Sequence, residues 1–438
     1  MLKTFRGGIH PPYNKDFTKH KPVERAKLPD RVIIPMSQHV GAPCEPIVKV
    51  GDLVKKGQKI GEAKAFVSAP IHASISGKVT AVEPKPHPGG GMVMSVVIES
   101  DGKDELFEGI KTPKPLAELT PDEIKNLIRE SGIVGMGGAG FPTQVKLSPP
   151  PGKTIDTIIV NGAECEPYLT ADHRLMVERP DDVVLGLEAI MKATGVKNGY
   201  IAIEENKPDA IEAIRKAIQA KDGIELVELA TKYPQGGEKQ LINAVTGREV
   251  PSGGLPMDVH VIVDNAGTCA AIANAIKTGM PLVERITTVT GTGVNEPKNL
   301  LIRVGTPFSE IIEQCGGFKG EVGKVIMGGP MMGLAQSVLD VPAVKGTSGI
   351  LVLAKNDVNL SEQLPCIRCA RCVDACPIHL LPTTLGKFAE RGMWTEAEEY
   401  HALDCIECGC CAYVCPAHIP LTQLIRLAKN HIVASKKK

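Results

Sequence analysis

At 438 residues, with 43% apolar and 23% charged positions, the chain has the composition of a globular protein of roughly two to four domains. Fifty basic residues balance fifty acidic ones and aromatics make up only 3%, which excludes a general electrostatic case for nucleic acid and a base-stacking surface. No run approaches the roughly 18 apolar residues of a membrane span, and no apolar segment stands behind a basic start, so neither a spanning helix nor a secretory signal is expected.

Residues 1–30, with "GGIHPPYNK", are polar and proline-containing and read as an extended arm. Residues 31–101 alternate short β-type runs with turns ("RVIIPM", "PIVKVGDLVKKGQKIGEA", "SAPIHASISGKVTAVE", "MVMSVVIES") and predict an all-β module. The phrase "VKVGDLVKKGQKIGE…APIHASISGKVTAVE" resembles the barrel-sandwich fold of biotinyl and lipoyl carriers, which present a modified lysine on a hairpin tip. Lys64 is the candidate, but its spacing to Ala69-Pro70 is about two residues short, and a structural role is preferred. Thr120-Pro121-Asp122-Glu123 is a capping box with proline at the first helical position, after which Ile124, Leu127 and Ile128 share one face.

That helix runs into "GMGGAGFPTQVK", Gly135 to Lys146. Beyond it "TIDTIIV", "GYIAIEE", "IELVELA" and "DVHVIVD" read as strands. They alternate with the helical "PDDVVLGLEAIMKAT", "KPDAIEAIRKAIQAK" and "TCAAIANAIKT", predicting an α/β layer with a mixed sheet within residues 115–283. Residues 284–345 ("RITTVTG", "NLLIRVG" and "KVIMGG" around "PFSEIIEQCGG") predict a small α+β domain. Residues 360–430 read as helical around cysteines, and the basic "SKKK" as a fraying tail.

The glycine-rich stretch contains a literal G-x-G-x-x-G, but a dinucleotide-binding turn of that type leaves a strand and opens a helix. Here the loop leaves a helix, and Pro142 stands two residues after Gly140. A phosphate cradle of another kind is the better reading, because glycine amides and a lysine, Lys146, hold a phosphate well. The next strand ends in Asn161-Gly162-Ala163-Glu164-Cys165-Glu166-Pro167, an amide and two carboxylates where α/β sheets bind ligands.

These segments resemble the NADH-binding, FMN-carrying subunit of respiratory complex I and related diaphorases. "GMGGAGFPTQVK" is similar to its G-R-G-G-A-G-F-P-T-G-x-K, "VNGAECEP" to V-N-A-D-E-x-E-P, "YPQGGEKQLINAVTG" to Y-I-C-G-E-E-T-A-L-L-N-S-L-E-G and "VDNAGT" to V-N-N-V-E-T. The resemblance implies a Rossmann-like α/β FMN domain followed by a β-grasp module at 284–345. It places Gly135, Gly137, Gly138 and Lys146 at the FMN phosphate and ribityl chain, and Asn161 and Glu164 at the flavin. Gly236, Glu238, Asn265 and Thr268 would close the pocket, and Phe141 and Glu166 would receive NADH. Met136, Ala163, Gly237 and Pro149 depart from that pattern.

Nine of the thirteen cysteines crowd between Cys366 and Cys415, which points to metal ligation rather than a disulfide scaffold. Cys366-x2-Cys369-x2-Cys372-x3-Cys376-Pro377 and Cys405-x2-Cys408-x2-Cys411-x3-Cys415-Pro416 are two complete [4Fe–4S] signatures. In two-cluster ferredoxins the fourth cysteine serves the other cluster. The expected sets are therefore Cys366, Cys369, Cys372, Cys415 and Cys405, Cys408, Cys411, Cys376. Cys410 reads as a free thiol. Cys165 lies between Glu164 and Glu166, whose charges raise a thiol pKa, and reads as a pocket lining. His10, His20 and His39 lack ligand spacing.

From "FRGGIHPP" to "VCPAHIP" the chain resembles the C subunits of Rnf-type (Rsx) ion-translocating electron-transport complexes. The resemblance implies a multidomain α/β and α+β protein: barrel-sandwich module, FMN domain, β-grasp module and a C-terminal two-cluster ferredoxin-like domain. Its cofactors would be FMN and two [4Fe–4S] clusters. Its partners would be NAD(H), the other subunits of a membrane-bound redox complex and another cluster-bearing electron carrier. It would work as a peripheral, cytoplasmic-side component of an NAD:ferredoxin oxidoreductase that moves Na⁺ or H⁺, with no acid–base catalytic pair of its own. One alternative is the diaphorase component of a soluble hydrogenase or formate dehydrogenase. A second is a non-catalytic electron-relay and docking component.

Overall fold

The computed structural model describes residues 2–359 and 361–436. The first thirty residues are not a free arm. Lys3 and Ile9 bridge to Leu229 and Tyr233. Strand β1 (Val23–Arg25) then pairs in parallel with a strand formed some 270 residues later in the chain (Val23 opposite Asn299).

Strands β2 (Arg31–Pro35), β3 (Glu45–Pro46), β4 (Leu53–Val54), β5 (Lys59–Glu62), β6 (Ile71–His72), β7 (Gly77–Pro86) and β8 (Met92–Ser100) build two small sheets, β2-β8-β7-β4 and β3-β5-β6. Alternation decides which side chains face inward: Val32 and Ile34 from β2 and Val96 and Ile98 from β8 meet Ile60, Ile71 and Ile75 in one core. Lys64 is exposed and pairs with Glu45.

Helix α1 (Pro121–Glu130) starts as the capping box requires: Thr120 Oγ1 accepts the Glu123 amide and the Glu123 carboxylate accepts the Thr120 amide. Ile124 and Ile128 are fully buried. After the glycine loop come a single turn, α2 (Thr143–Lys146), and strand β9 (Thr157–Gly162). Next are α3 (Ala171–Glu178), α4 (Pro180–Thr194), β10 (Asn198–Glu204), α5 (Pro208–Ala217) and β11 (Ile224–Leu229). The layer ends with α6 (Glu238–Thr246), β12 (Val261–Asn265) and α7 (Ala266–Thr278).

The sheet order is β11-β10-β9-β12, and every pairing is parallel, not mixed. The reason is connectivity: a helix follows each strand and returns the chain to the same end of the sheet, which parallel pairing requires. Ile158, Ile159 and Val160 of β9 are fully buried, each worth about 1.5–3 kcal/mol relative to exposure. Helices α4 and α7 cross closely at Gly186, where a Cβ would lie 2.1 Å from the Cys269 carbonyl oxygen.

Strands β13 (Glu284–Thr290), β14 (Lys298–Arg303), β15 (Val322–Met327), β16 (Leu334–Ala335) and β17 (Gly349–Ala354) form the last sheet, with α8 (Phe308–Glu313) packed on it. Its order is β1-β14-β13-β17-β15-β16, so it recruits the N-terminal β1 and a central strand, β17, lying beyond residue 345.

The cysteine segment holds α9 (Arg371–Asp374), α10 (Pro382–Glu390), α11 (Trp394–Glu399), α12 (Cys410–Tyr413) and α13 (Leu421–Lys436). Leu385, Ala389, Ala397, Ile425 and Ile432 form its core. The "SKKK" tail is helical through Lys436, which pairs with Glu398; Lys437 and Lys438 lie outside the described residues.

Three buried lysines donate to backbone carbonyls, Lys15 and Lys345 between modules and Lys207 within the α/β domain. Lys15 donates to Glu164, Glu166 and Leu169 at 2.8, 2.9 and 2.5 Å. Lys207 reaches the Ala163 carbonyl at 2.5 Å and Glu204 at 3.0 Å, and Lys345 reaches Pro70 and Gly132 at 2.9 and 2.6 Å. A buried ammonium is tolerated when its donors are all used. Burial still pushes the Lys15 and Lys345 amines down to about 8.

Candidate functional site

The glycine loop is closed at its neck by a bridge between Val134 and Pro142, with the Gly135 amide 2.9 Å from the Phe141 carbonyl oxygen. Its first turn is anchored from below, where the Met136 amide donates to Thr268 Oγ1 at 3.0 Å in the first turn of α7. Asn265 caps that helix by accepting the Gly267 amide. A Cβ at Gly137 would meet Asn265 Nδ2 at 2.9 Å, whereas a Cβ at Gly138 would meet nothing within 4 Å. Gly138 also lacks a left-handed backbone, so nothing in the chain itself requires glycine there. Gly137, Gly138 and Ala139 are exposed, and Phe141 is half-buried.

Across from the loop lie the carboxyl ends of β9 and β12, with Asn161 and Asn265 side by side in register. Strand β9 has β10 on its other flank, so the crevice opens where successive strands depart to opposite sides, the usual place for a ligand in a parallel sheet. Asn161 Nδ2 donates to the Gly236 carbonyl at 2.8 Å and its Oδ1 accepts the Ala163 amide. The Gly236 amide donates to Cys165 Sγ at 3.3 Å. Lys146 donates to the Val263 carbonyl at 2.7 Å and stands 3.7 Å from both Asp264 and Glu238.

Several polar groups around this cradle are buried without a hydrogen-bond partner in the protein: both carboxylate oxygens of Asp264, the Gln235 amide, Thr143 Oγ1 and Arg285 Nε. Arg285, from β13, points its guanidinium at Met136, 3.2 Å from the sulfur and 3.4 Å from the carbonyl oxygen. A cradle with glycine at 135, 137 and 138, with the cations Lys146 and Arg285 beside it and unsatisfied polar atoms around it, fits a phosphorylated, polyhydroxylated, polar-ringed molecule. FMN is of that kind.

The two carboxylates of the "AECEP" loop are both engaged. Glu164 accepts the Asp172 and His173 amides at 2.8 and 3.1 Å, sitting at the N-terminus of α3, and burial pushes its carboxyl up. Glu166 accepts the Met331 amide at 3.1 Å and the Met332 amide at 2.7 Å, and burial pushes it up to about 7. Burial and then Glu204 push the Cys165 thiol up to about 12, which leaves it inert as a nucleophile.

The cysteines converge on two cavities. Cys376, Cys405, Cys408, Cys410 and Cys411 line one; Cys366, Cys369, Cys372 and Cys415 line the other. The four motif thiols at each void are the donor set that a cubane cluster takes. Cys410 is fully buried beside the first set, its sulfur 3.9 Å from the Tyr233 carbonyl oxygen.

The first, inner cavity abuts the α/β domain: Tyr233 Oη donates to the Cys408 carbonyl at 2.8 Å and Gln240 Nε2 to Pro377 at 3.1 Å. The second faces outward, with Cys369 exposed and Cys366 half-buried. Lys15, Lys207, Arg285 and the Met331 loop escape a motif reading, since each reaches the site from outside the quoted motifs.

Residues 128–274 match the Nuo51 FMN-binding domain, 3–103 the RnfC barrel sandwich hybrid domain, 286–335 the SLBB domain and 365–419 the 4Fe-4S dicluster domain. The chain is 56% identical over 405 residues to the C subunit of the proton-translocating ferredoxin:NAD(+) oxidoreductase complex of Clostridium ljungdahlii, covering 92% of this chain and 88% of that one. It is 54% identical over 435 residues to the Na(+)-translocating counterpart of Acetobacterium woodii, covering 99% and 98%. The C subunit of the ion-translocating oxidoreductase complex of Rhodobacter capsulatus is 44% identical over 385 residues, covering 87% and 74%. Among the described residues no helix is long and apolar enough to cross a membrane.

Proposed function

The chain belongs to the family of C subunits of ion-translocating ferredoxin:NAD oxidoreductase complexes, and from that premise we propose that NAD(H) exchanges electrons with the complex on this chain. It carries an FMN-binding domain and a domain for two [4Fe–4S] clusters. FMN, when bound, supplies the exchange between the hydride of a nicotinamide and the single electrons that clusters carry.

The chain's own residues bind and orient. Gly138 leaves room for the phosphate and ribityl chain, Gly135 and Gly137 let the loop backbone lie against Phe141 and Asn265, and Lys146 and Arg285 supply positive charge beneath them. Asn161, Glu164, Gly236, Glu238, Asn265 and Thr268 build the walls, and Phe141 stands at the mouth for the nicotinamide.

The observation that carries the reading is the contact between the flavin-domain wall and the inner cysteine set, through Tyr233 and Cys408. It supports an order of flavin pocket, then the inner set, then the outer set, whose exposed Cys369 leaves that set open to a cluster-bearing partner protein. The protein would dock peripherally on the cytoplasmic side of the membrane through the other members of the complex. The test is anaerobic reconstitution of the isolated protein with FMN, iron and sulfide, followed by NADH and a one-electron dye. NADH-dependent dye reduction that tracks flavin content is expected; bound flavin with no turnover would sink the reading.

A further inference from the structure

Between β15 and β16 runs Gly328-Gly329-Pro330-Met331-Met332-Gly333, a loop held from both sides. On one side both oxygens of Glu166 accept its amides, Met331 at 3.1 Å and Met332 at 2.7 Å. The approach is so close that a Cβ on Gly329 would lie 2.2 Å from Glu166 Oε2. On the other side the loop meets Gly409, between Cys408 and Cys410. Gly409 has a φ of 79°, and a Cβ there would lie 2.9 Å from the Met331 carbonyl oxygen. Met331 packs with Cys165, Tyr233, Cys408 and Cys410 in one apolar cluster. Lys15 holds the Glu166 carbonyl from behind at 2.9 Å.

A carboxylate accepting two backbone N–H groups makes charge-assisted bonds, the strong kind. Its free oxygen capacity is then reduced for any other donor, including the hydroxyls of a ribose. The loop also wedges its backbone between Glu166 and the inner cysteine loop, so the Glu166 contact fixes where that loop sits.

We propose that Glu166 is a positioning residue: its carboxylate clasps the Gly328–Gly333 loop, and the clasped loop seats the inner cluster-binding loop against the flavin pocket. This replaces the nucleotide contact that the complex I resemblance assigns to Glu166, and it rests on the proposed order of electron flow only for its kinetic readout.

Two variants approach the clasp from opposite sides. Glu166→Gln offers one acceptor where two are used. Gly329→Ala puts a Cβ into Glu166 while leaving every residue assigned to flavin unchanged, and Gly329 has no left-handed backbone to strain. Both are studied as holoprotein containing FMN and both clusters. In hydrogen exchange, the amides of residues 329–333 and 405–411 should lose protection in both variants. In anaerobic stopped flow, flavin reduction by NADH should keep its KM, while cluster reduction slows about tenfold, equivalent to roughly 1.4 kcal/mol of barrier.

A nucleotide-contact role gives the opposite pattern. Glu166→Gln and Gly329→Ala, which displaces the same carboxylate, would both raise the NADH KM, and cluster reduction and protection at 405–411 would stay as in the unmodified protein. That result would overturn the clasp. Should the unmodified holoprotein fail to take electrons from NADH, the functional reading falls while hydrogen exchange still decides the clasp. Unchanged protection at 405–411 then rejects it.

Discussion

Tyr233 donates its phenolic hydrogen to the Cys408 carbonyl at 2.8 Å while its own carbonyl accepts the Ile9 amide at the same distance. One fully buried side chain thereby joins the α/β domain, the N-terminal arm and the inner cysteine loop. Tyr233→Phe keeps the ring and removes only the donor. The Cys408 carbonyl is then left without that partner, a cost of about 1–3 kcal/mol. The holoprotein should retain full flavin and iron but unfold at a lower temperature in a calorimeter. An unchanged unfolding midpoint would show that water replaces the phenol.

The two cysteine cavities make a prediction that spacing within each motif does not. Cys376 ends the first motif but lines the cavity of the second. Cys376→Ser and Cys408→Ser should therefore perturb the same cluster signal in electron paramagnetic resonance, and Cys372→Ser and Cys415→Ser the other. The unmodified protein should hold roughly eight iron per chain, and Cys410→Ser should keep that content. If Cys376→Ser altered the same signal as Cys372→Ser, the crossed ligand sets would be wrong.

Lys15 serves three carbonyls of the loop that carries Glu164 and Glu166. Lys15→Met leaves those carbonyls without their charged donor, and a loss of about 3 kcal/mol is expected together with weaker FMN retention. The pH dependence has a definite sign. Burial lowers the folded-state pKa from 10.5 to about 8, so between those values the unfolded chain holds more protons. The penalty for a charged buried amine is complete below about pH 8 and lifts as pH rises toward 10.5. Measured by denaturant unfolding, the unmodified protein should therefore gain stability relative to Lys15→Met across that window. A flat difference would mean the amine stays charged and solvated.

How legible each feature is in the sequence follows from how local its signal is. The cysteine spacings, the capping box at Thr120–Glu123 and the glycine loop are short-range patterns, and the structure places the two fourfold thiol sets around separate cavities. The all-parallel sheet escapes a sequence reading because α3 and α6, at 8 and 9 residues, are shorter than α4 and α7, at 15 and 13. Without them, parallel and antiparallel connections look alike.

The arm looks free in the sequence because Lys15 and β1 act only through partners far along the chain, Glu164 and Asn299 among them. Asp264 sits in the quoted "VDNAGT", but its lack of a partner becomes visible only when β12 and α2 are brought together. Arg285 lies outside every motif, on the first strand of the next domain, yet its guanidinium ends at Met136 of the glycine loop.

The glycine loop offers the cleanest separation of ligand from scaffold. Glycine at 138 answers no demand of the folded chain: its backbone is not left-handed, and an added Cβ meets nothing within 4 Å. Gly138→Val should thus fold with both clusters in place, since the first added carbon meets no other part of the chain within 4 Å. If the space beside it belongs to the FMN phosphate or ribityl chain, the isopropyl group fills it, and flavin per chain should fall at least about tenfold, the equivalent of ~1.4 kcal/mol of binding. Lys146→Ala should lower flavin occupancy as well, by removing the amine that stands against Val263, Asp264 and Glu238. It should also destabilise the protein, because Asp264 would lose its nearest cation. Gly137→Ala is the contrast: its Cβ meets Asn265 at 2.9 Å, so it disturbs the scaffold whether or not flavin binds there. Measuring FMN beside iron for the three variants distinguishes the cases, and a Gly138→Val protein that retains full flavin would place FMN elsewhere.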